Sequence, residues 1–264
     1  MRKEKGNTVP EKPQAPFVEG GASLILSPNK LTIPVKAVTS DGSAVAVEGC
    51  TETSLASGAE TVLHAQGTRV ILKGKITALG CDNNQLTALN VQGLTALQGL
   101  DCHINQLTAL NVQGLTALQG LDCLGNQLTE LNVQGLTALQ YLSCAGNRLT
   151  ALNVQGLTAL KRLNCYNNQL TALNVQGLTA LNALWCYSNK LNADAFKKLF
   201  DDLPQRADSD DAKCYLYTEE TDVSEGNHTD FTTPPDLAAA FNNAKNNKKW
   251  KMYKWNGSWP GVEI

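Results

Sequence analysis

Charge of either sign is scarce and nearly balanced: 22 lysines and arginines face 24 aspartates and glutamates, a net of −2. That balance lacks the electrostatic footprint of a nucleic-acid or anionic-membrane binder. No run of about 18 apolar residues occurs, so the sequence offers no membrane-spanning helix. The start Met1-Arg2-Lys3-Glu4-Lys5 is charged like the beginning of a signal peptide, yet no apolar stretch follows it. Either the protein is cytoplasmic or it is exported and its leader is absent from this sequence; the second is the expectation, with membrane attachment only through an anchor that is absent too. Catalytic vocabulary is thin. His64, His103 and His228 lie far apart, and none neighbours a candidate nucleophile. Gly-x-Ser-x-Gly, phosphate-loop, His-Glu-x-x-His and Cys-x-x-Cys patterns do not occur. The reading is therefore a protein that is not an enzyme and takes no cofactor. Aromatics make up only 6% of the chain, which gives weight to the place where they gather.

What the sequence does have is a period. It holds eight cysteines, and from Cys81 through Cys102, Cys123, Cys144 and Cys165 to Cys186 each lies 21 residues after the last. The unit from Leu100 reads LDCHINQLTALNVQGLTALQG; the next, from Leu121, reads LDCLGNQLTELNVQGLTALQY. Further units start at Leu79, Leu142 and Leu163, and a partial one at Leu184. The frame Leu97-x-x-Leu100-x-Cys102-x-x-Asn105-x-Leu107-x-x-Leu110 matches the leucine-rich-repeat pattern, with cysteine in the third leucine slot. The expected fold is a leucine-rich-repeat solenoid with a parallel β-sheet on its concave face.

Each position then has a physical task. Leu100 and Cys102 alternate as in a short strand with one buried face. Leu107, Leu110, Val112, Leu115 and Leu118 point inward, and only neighbouring coils together bury such a set. The column Asn84, Asn105, Asn126, Asn147, Asn168 and Asn189 supplies amides to turn backbone that would otherwise be buried without partners. The in-register cysteines are expected as buried thiols. Their Cβ atoms sit too far apart for the roughly 3.8 Å of a disulfide, and a straight ladder does not converge on a metal. Cys50 lies outside the ladder. Gly93, Gly114, Gly135, Gly156 and Gly177 mark tight convex bends in place of helices.

Four regions follow. Residues 1–21, rich in Pro, Glu, Lys and Gly, read as a disordered tether. Residues 22–75 alternate strand-like runs with turns and read as a β-rich N-terminal cap. Residues 76–192 are the repeats. Residues 193–264 read as an α/β C-terminal cap, with helices at Ala193–Phe200 and Pro235–Asn246 and strands around Cys214 and Met252 continuing the parallel sheet.

The repeats differ from one another mainly at outward strand positions, whereas convex positions such as Thr108, Asn111 and Gln113 scarcely change. Three columns face outward. Before the strand leucine stand Ala78, Gly99, Gly120, Tyr141, Arg162 and Ala183. Between leucine and cysteine stand Gly80, Asp101, Asp122, Ser143, Asn164 and Trp185, extended by Lys213 and Lys251. After the cysteine stand Asp82, His103, Leu124, Ala145, Tyr166 and Tyr187, extended by Tyr215 and Tyr253. Tyr141, Arg162, Tyr166, Trp185, Tyr187 and Tyr215 are residue types that dominate interface hot spots; the other end contributes Asp101, Asp122 and His103. These nine are the candidate ligand-binding residues. Two further readings stay open: the rings stack only to stabilise neighbouring strands, or they stack on sugars. Asp101 and Asp122 read as a solvated acidic strip, because calcium wants six to eight oxygens, and no metal site is expected. Lysines and aromatics alternate from Lys245 to Trp259, a pattern that also serves nucleic-acid binding; a capping strand explains it more simply. Asn227-His228-Thr229 and Asn256-Gly257-Ser258 are sequons, informative only in a secreted eukaryotic protein.

The motif Leu-x-Cys-x-x-Asn-Gln-Leu-Thr-x-Leu-Asn-Val-x-Gly-Leu-Thr-Ala-Leu resembles the short, cysteine-bearing leucine-rich repeats of bacterial surface proteins, notably of oral spirochaetes and Bacteroides-type bacteria. The lead-in Lys73–Cys81 and the exit Asn189–Phe196 resemble that group as well. The resemblance runs from about Ile33 to Val262. It implies an extracellular or outer-surface adhesin that engages host matrix or epithelial proteins, or other bacteria. It carries over no binding residues. A carbohydrate-binding surface module and a spacer without a ligand are the alternatives.

Overall fold

The computed structural model describes residues 14–221 and 223–264. Residues 1–13 of the expected tether lie outside the described residues. Seven strands precede the first complete coil: β1 (Gly21–Ile25), β2 (Thr32–Thr39), β3 (Val45–Glu48), β4 (Ser54–Leu55), β5 (Glu60–His64), β6 (Arg69–Lys73) and β7 (Ile76–Gly80). The coils add β8 (Ala88–Asn90), β9 (Gly99–Asp101), β10 (Gly120–Asp122), β11 (Tyr141–Ser143), β12 (Arg162–Asn164) and β13 (Ala183–Trp185). Then come α1 (Ala193–Asp202), β14 (Lys213–Thr218), α2 (Pro235–Asn246), β15 (Lys251–Trp255) and β16 (Val262–Glu263).

One sheet of 11 strands runs the length of the molecule in the order β16-β15-β14-β13-β12-β11-β10-β9-β7-β2-β5. From β7 to β15 its strands are parallel, and Leu79, Leu100, Leu121, Leu142, Leu163 and Leu184 align in one register. At each end an antiparallel strand closes the row: β2 pairs with β7, and β16 with β15. A second sheet of 5 strands, β4-β3-β6-β1-β8, joins the N-terminal strands to the first coil through β1 and β8. Residues of both sheets enter one continuous core, from Ala22 and Leu24 through the repeat leucines to Trp250 and Met252.

The repeat explains its own packing. On the convex side Leu115 donates to Val112 O and Leu118 to Leu115 O, at 3.2 and 2.9 Å, so two tight turns replace a helix. Gly114, Gly135, Gly156 and Gly177 take φ between 79° and 82°, the left-handed region that glycine enters without steric cost. Gly93 departs from its column: a Cβ there would meet Val18 O at 1.8 Å. The segment Ala15–Val18 packs on the first coil, where Ala15 O accepts from Asn90 Nδ2 at 3.1 Å.

The asparagines join the coils. Asn126 Oδ1 accepts from Leu107 N of the preceding coil at 3.0 Å, while its Nδ2 donates to Cys102 O and Cys123 O at 3.0 and 3.1 Å. Asn147, Asn168 and Asn189 repeat the arrangement. A further rung was not legible in the repeat. Asn227 Oδ1 accepts from Leu191 N at 2.9 Å, and its Nδ2 donates to Cys186 O and Leu216 O at 2.9 and 2.8 Å. The first of the two sequons is thus a buried structural asparagine, only 7% exposed. The ladder cysteines are free and fully buried; Cys123 Sγ donates to Ser143 O at 3.4 Å. Burial pushes the thiols from Cys81 to Cys165 up, Cys144 to about 12, and contact with Cys214 followed by burial raises Cys186, so none is a ready nucleophile. Cys50 is also a free, buried thiol.

Candidate functional site on the concave sheet

The outward residues of β7 and β9–β13 divide this face in two. At the N-terminal end Gly80, Gly99 and Gly120 leave the sheet bare, and a trough of about 530 Å³ opens above them. Lys36, Glu60, Asp82, Asp101, Asp122 and Tyr141 stand around it. Lys36 and Glu60 come from β2 and β5, which widen the sheet beyond the repeats. The repeat columns could not reveal them, because antiparallel pairing with β7 leaves no 21-residue signature. Tyr141 Oη donates to Asp122 Oδ2 at 3.2 Å, and His103 Nδ1 pairs with Asp101 Oδ1 at 2.6 Å. Burial pulls the imidazole toward neutrality, but the hydrogen bond to Asp101 and the charges of Asp101, Asp82 and Asp122 outweigh it and raise its pKa. Arg162 is exposed and pairs in register with Tyr141, between the two halves.

The C-terminal half is a stack. Tyr166 lies on Tyr187 at 4.5 Å, Trp185 on Tyr215 at 5.4 Å, and Tyr215 on Tyr253 at 5.0 Å. The chain after β15 folds back over this stack, laying Trp259 on Tyr215 at 6.0 Å. Tyr215 is consequently fully buried and Tyr187 nearly so, while Tyr166 and Trp185 stay half-buried. Burial, then the neighbouring Tyr253 and Asp211, push the Tyr215 phenol up to about 12. Of the nine expected residues, Asp101, Asp122, His103 and Tyr141 gather at the trough. Tyr166, Trp185, Tyr187 and Tyr215 gather in the stack.

Two expectations need revision. Lys213 aligns with Ala183, Cys214 with Leu184 and Tyr215 with Trp185, so the extension of the columns is shifted by two residues. Cys214 occupies the leucine position, not the cysteine position. In Lys213–Tyr217 both Cys214 and Leu216 alternate inward, and alternation alone cannot choose between them. The contrast between varied concave and constant convex positions also has a structural cause. Gln113 N donates to Asn111 Oδ1 at 3.1 Å, and Gln113 Nε2 donates to Asn132 O of the next coil at 2.9 Å. These convex side chains hold coils together and are not free to drift, so the case for binding rests on the concave residues themselves.

The lysines of the C-terminal tail are engaged. Lys251 reaches Asp211 and Lys254 reaches Glu219, at 2.7 and 2.8 Å, and Trp250 is buried with Nε1 donating to Pro204 O at 2.8 Å.

Residues 137–175 match the family model described as Leucine Rich repeats (2 copies). No curated protein matches the chain. Among solved structures it is similar to the functional domain of InlJ from Listeria monocytogenes, described as including a cysteine ladder, at 28% identity over 62% of this chain and 38% of that one, with a TM-score of 0.41. It is also similar to a leucine-rich-repeat protein of Leptospira interrogans, at 22% identity over 65% and 43% of the two chains and a TM-score of 0.43. Internalin C2 of Listeria monocytogenes gives 23% identity over 67% and 81%, with a TM-score of 0.43. The chain thus spans 38% and 43% of the first two structures. The matched residues lie within the run of parallel strands that recur once per 21 residues, and over residues 137–175 the repeated unit matches a leucine-rich repeat.

Proposed function

We propose that this chain is a non-catalytic protein-binding repeat protein of a bacterial surface, an adhesin that takes its ligand on the concave sheet. The observation that carries the reading is the composition of that face. An open acidic trough adjoins exposed Arg162 and the half-buried Tyr141, Tyr166 and Trp185 on one rigid sheet. Planar aromatics and arginine on a preorganised surface give large contact area at little entropic cost. The sugar reading is less well served, because Tyr166 and Tyr187 spend ring faces on each other.

The test is binding of the purified chain to a panel of extracellular-matrix and epithelial proteins. The control variant carries Tyr141→Ala, Arg162→Ala, Tyr166→Ala and Trp185→Ala. Saturable binding that weakens by about 2 kcal/mol or more in the folded variant supports the reading. Equal binding by both proteins moves the site off this face. A panel without any saturable ligand favours the spacer.

A further inference from the structure

His103 follows Asp101 by two residues on one coil, and the fold brings Asp82 of the preceding coil to them. Asp82 comes from one coil and Asp101 and His103 from the next, and one ligand-type atom from each lies within 4.8 Å of the others. The ring is oriented: Nδ1 meets Asp101 Oδ1 at 2.6 Å, and Nε2 faces Asp82 Oδ2 at 3.9 Å. That second separation is too long for a hydrogen bond. It suits two atoms bridged by one metal ion, since bonds of about 2.0–2.2 Å to imidazole nitrogen and carboxylate oxygen in tetrahedral geometry need a closure of about half an ångström. An imidazole whose other nitrogen is held by a carboxylate is also how metal-bound histidines are oriented.

The electrostatics agree. Among the described residues, the ion pairs of Asp82 and Asp101 are with His103 alone. The side chains are 45%, 45% and 30% exposed for Asp82, Asp101 and His103, open enough for an ion to enter and keep waters. A strip of carboxylates alone would hold only diffuse counter-ions. The imidazole changes the chemistry, because a neutral ring nitrogen is a preferred ligand of borderline transition metals, whereas calcium requires more oxygens than converge here.

We propose that Asp82, Asp101 and His103 form a site for a divalent transition-metal ion of the Zn²⁺ type. His103 Nε2 and the Asp82 carboxylate bind directly, Asp101 fixes the ring, and water fills the remaining positions. The site stands independently of any protein ligand, so its test reads metal alone.

The experiment is calorimetric titration of the full, reduced, chelator-washed chain with Zn²⁺, with Co²⁺ as an optical probe. One saturable ion per chain is expected, with a Co²⁺ spectrum free of thiolate charge-transfer bands. His103→Gln and Asp82→Asn each weaken binding at least about tenfold, and Asp101→Asn weakens it about ten- to a hundredfold by freeing the ring. Thermal unfolding of the metal-free variants confirms that they fold. Absence of saturable binding, unchanged affinity in folded His103→Gln, or thiolate bands placing the ion on a cysteine would each overturn the proposal.

Discussion

The two halves of the concave sheet share one scaffold and differ in what stands on it. In both, the strand leucines align and an asparagine rung ties each coil to the previous one. The N-terminal half carries glycines and aspartates and stays open; the C-terminal half carries rings that stack on one another, and the returning tail covers Tyr215 while Tyr166 and Trp185 stay half-buried. Outward positions on such a scaffold therefore choose freely between presenting surface and making more core. An aromatic in an outward column is surface only where nothing else in the chain reaches it.

The sharpest way to break this comparison is to remove one ring from each half. Tyr215→Ala excises a fully buried ring, and its denaturation free energy should fall by about 3–5 kcal/mol. Tyr141→Ala should cost about 1 kcal/mol or less, since it loses a part-exposed hydrogen bond. Equal losses would contradict the division. The shared scaffold makes the next claim. Asn105→Ala and Asn168→Ala each strand buried backbone groups of two coils, so each should cost about 3 kcal/mol. A difference well beyond about 0.5 kcal/mol would mean that the stack, rather than the ladder, holds the C-terminal half.

Smaller effects probe each half separately. Ile104, beside His103, is a β-branched residue at φ 49° with 51% exposure. Gly125 and Gly146 hold the equivalent place in the next coils at φ 67° and 60°. Ile104→Gly should raise the unfolding free energy by about 1 kcal/mol, the order of a relieved left-handed strain. A loss of stability would show that the exposed side chain packs usefully at the trough. In the C-terminal half, hydrogen bonds from Lys213 and Lys251 hold Asp211 from an ordinary 3.8 down to about 2. A carboxylate lowered on folding contributes stability that is present above its unfolded pKa. That stability is lost as pH falls through the folded value. Asp211→Asn should therefore flatten the melting-temperature profile between about pH 4 and pH 2 and leave other regions of the profile parallel; an unaltered acid limb would contradict the pairing.

How much of this was legible depends on what a residue column can encode. The spacing from Cys81 to Cys186 specifies parallel strands, because each position meets its equivalent one coil on. It also marks Asn105 and its equivalents as a structural column, although the exposed asparagines Asn111, Asn132 and Asn153 recur as strictly and serve the convex turn instead. The antiparallel partners β2 and β5 meet the repeats across a non-repeating register, so Lys36 and Glu60 at the trough left no trace. Asn227 stands apart from the period because an inserted loop precedes it, though Leu191 and Cys186 reach it as they would any other rung. The stacking that buries Tyr215 depends on a tail that returns over the sheet. No column records such a return.

The most direct test of the central claim is hydroxyl-radical footprinting of the chain with and without a bound protein ligand. The expected result is that Tyr141, Tyr166 and Trp185 lose reactivity on binding, while Phe17, exposed beside the first coil and away from the concave sheet, keeps its own. Protection of Phe17 with unchanged reactivity at the three concave rings would contradict it.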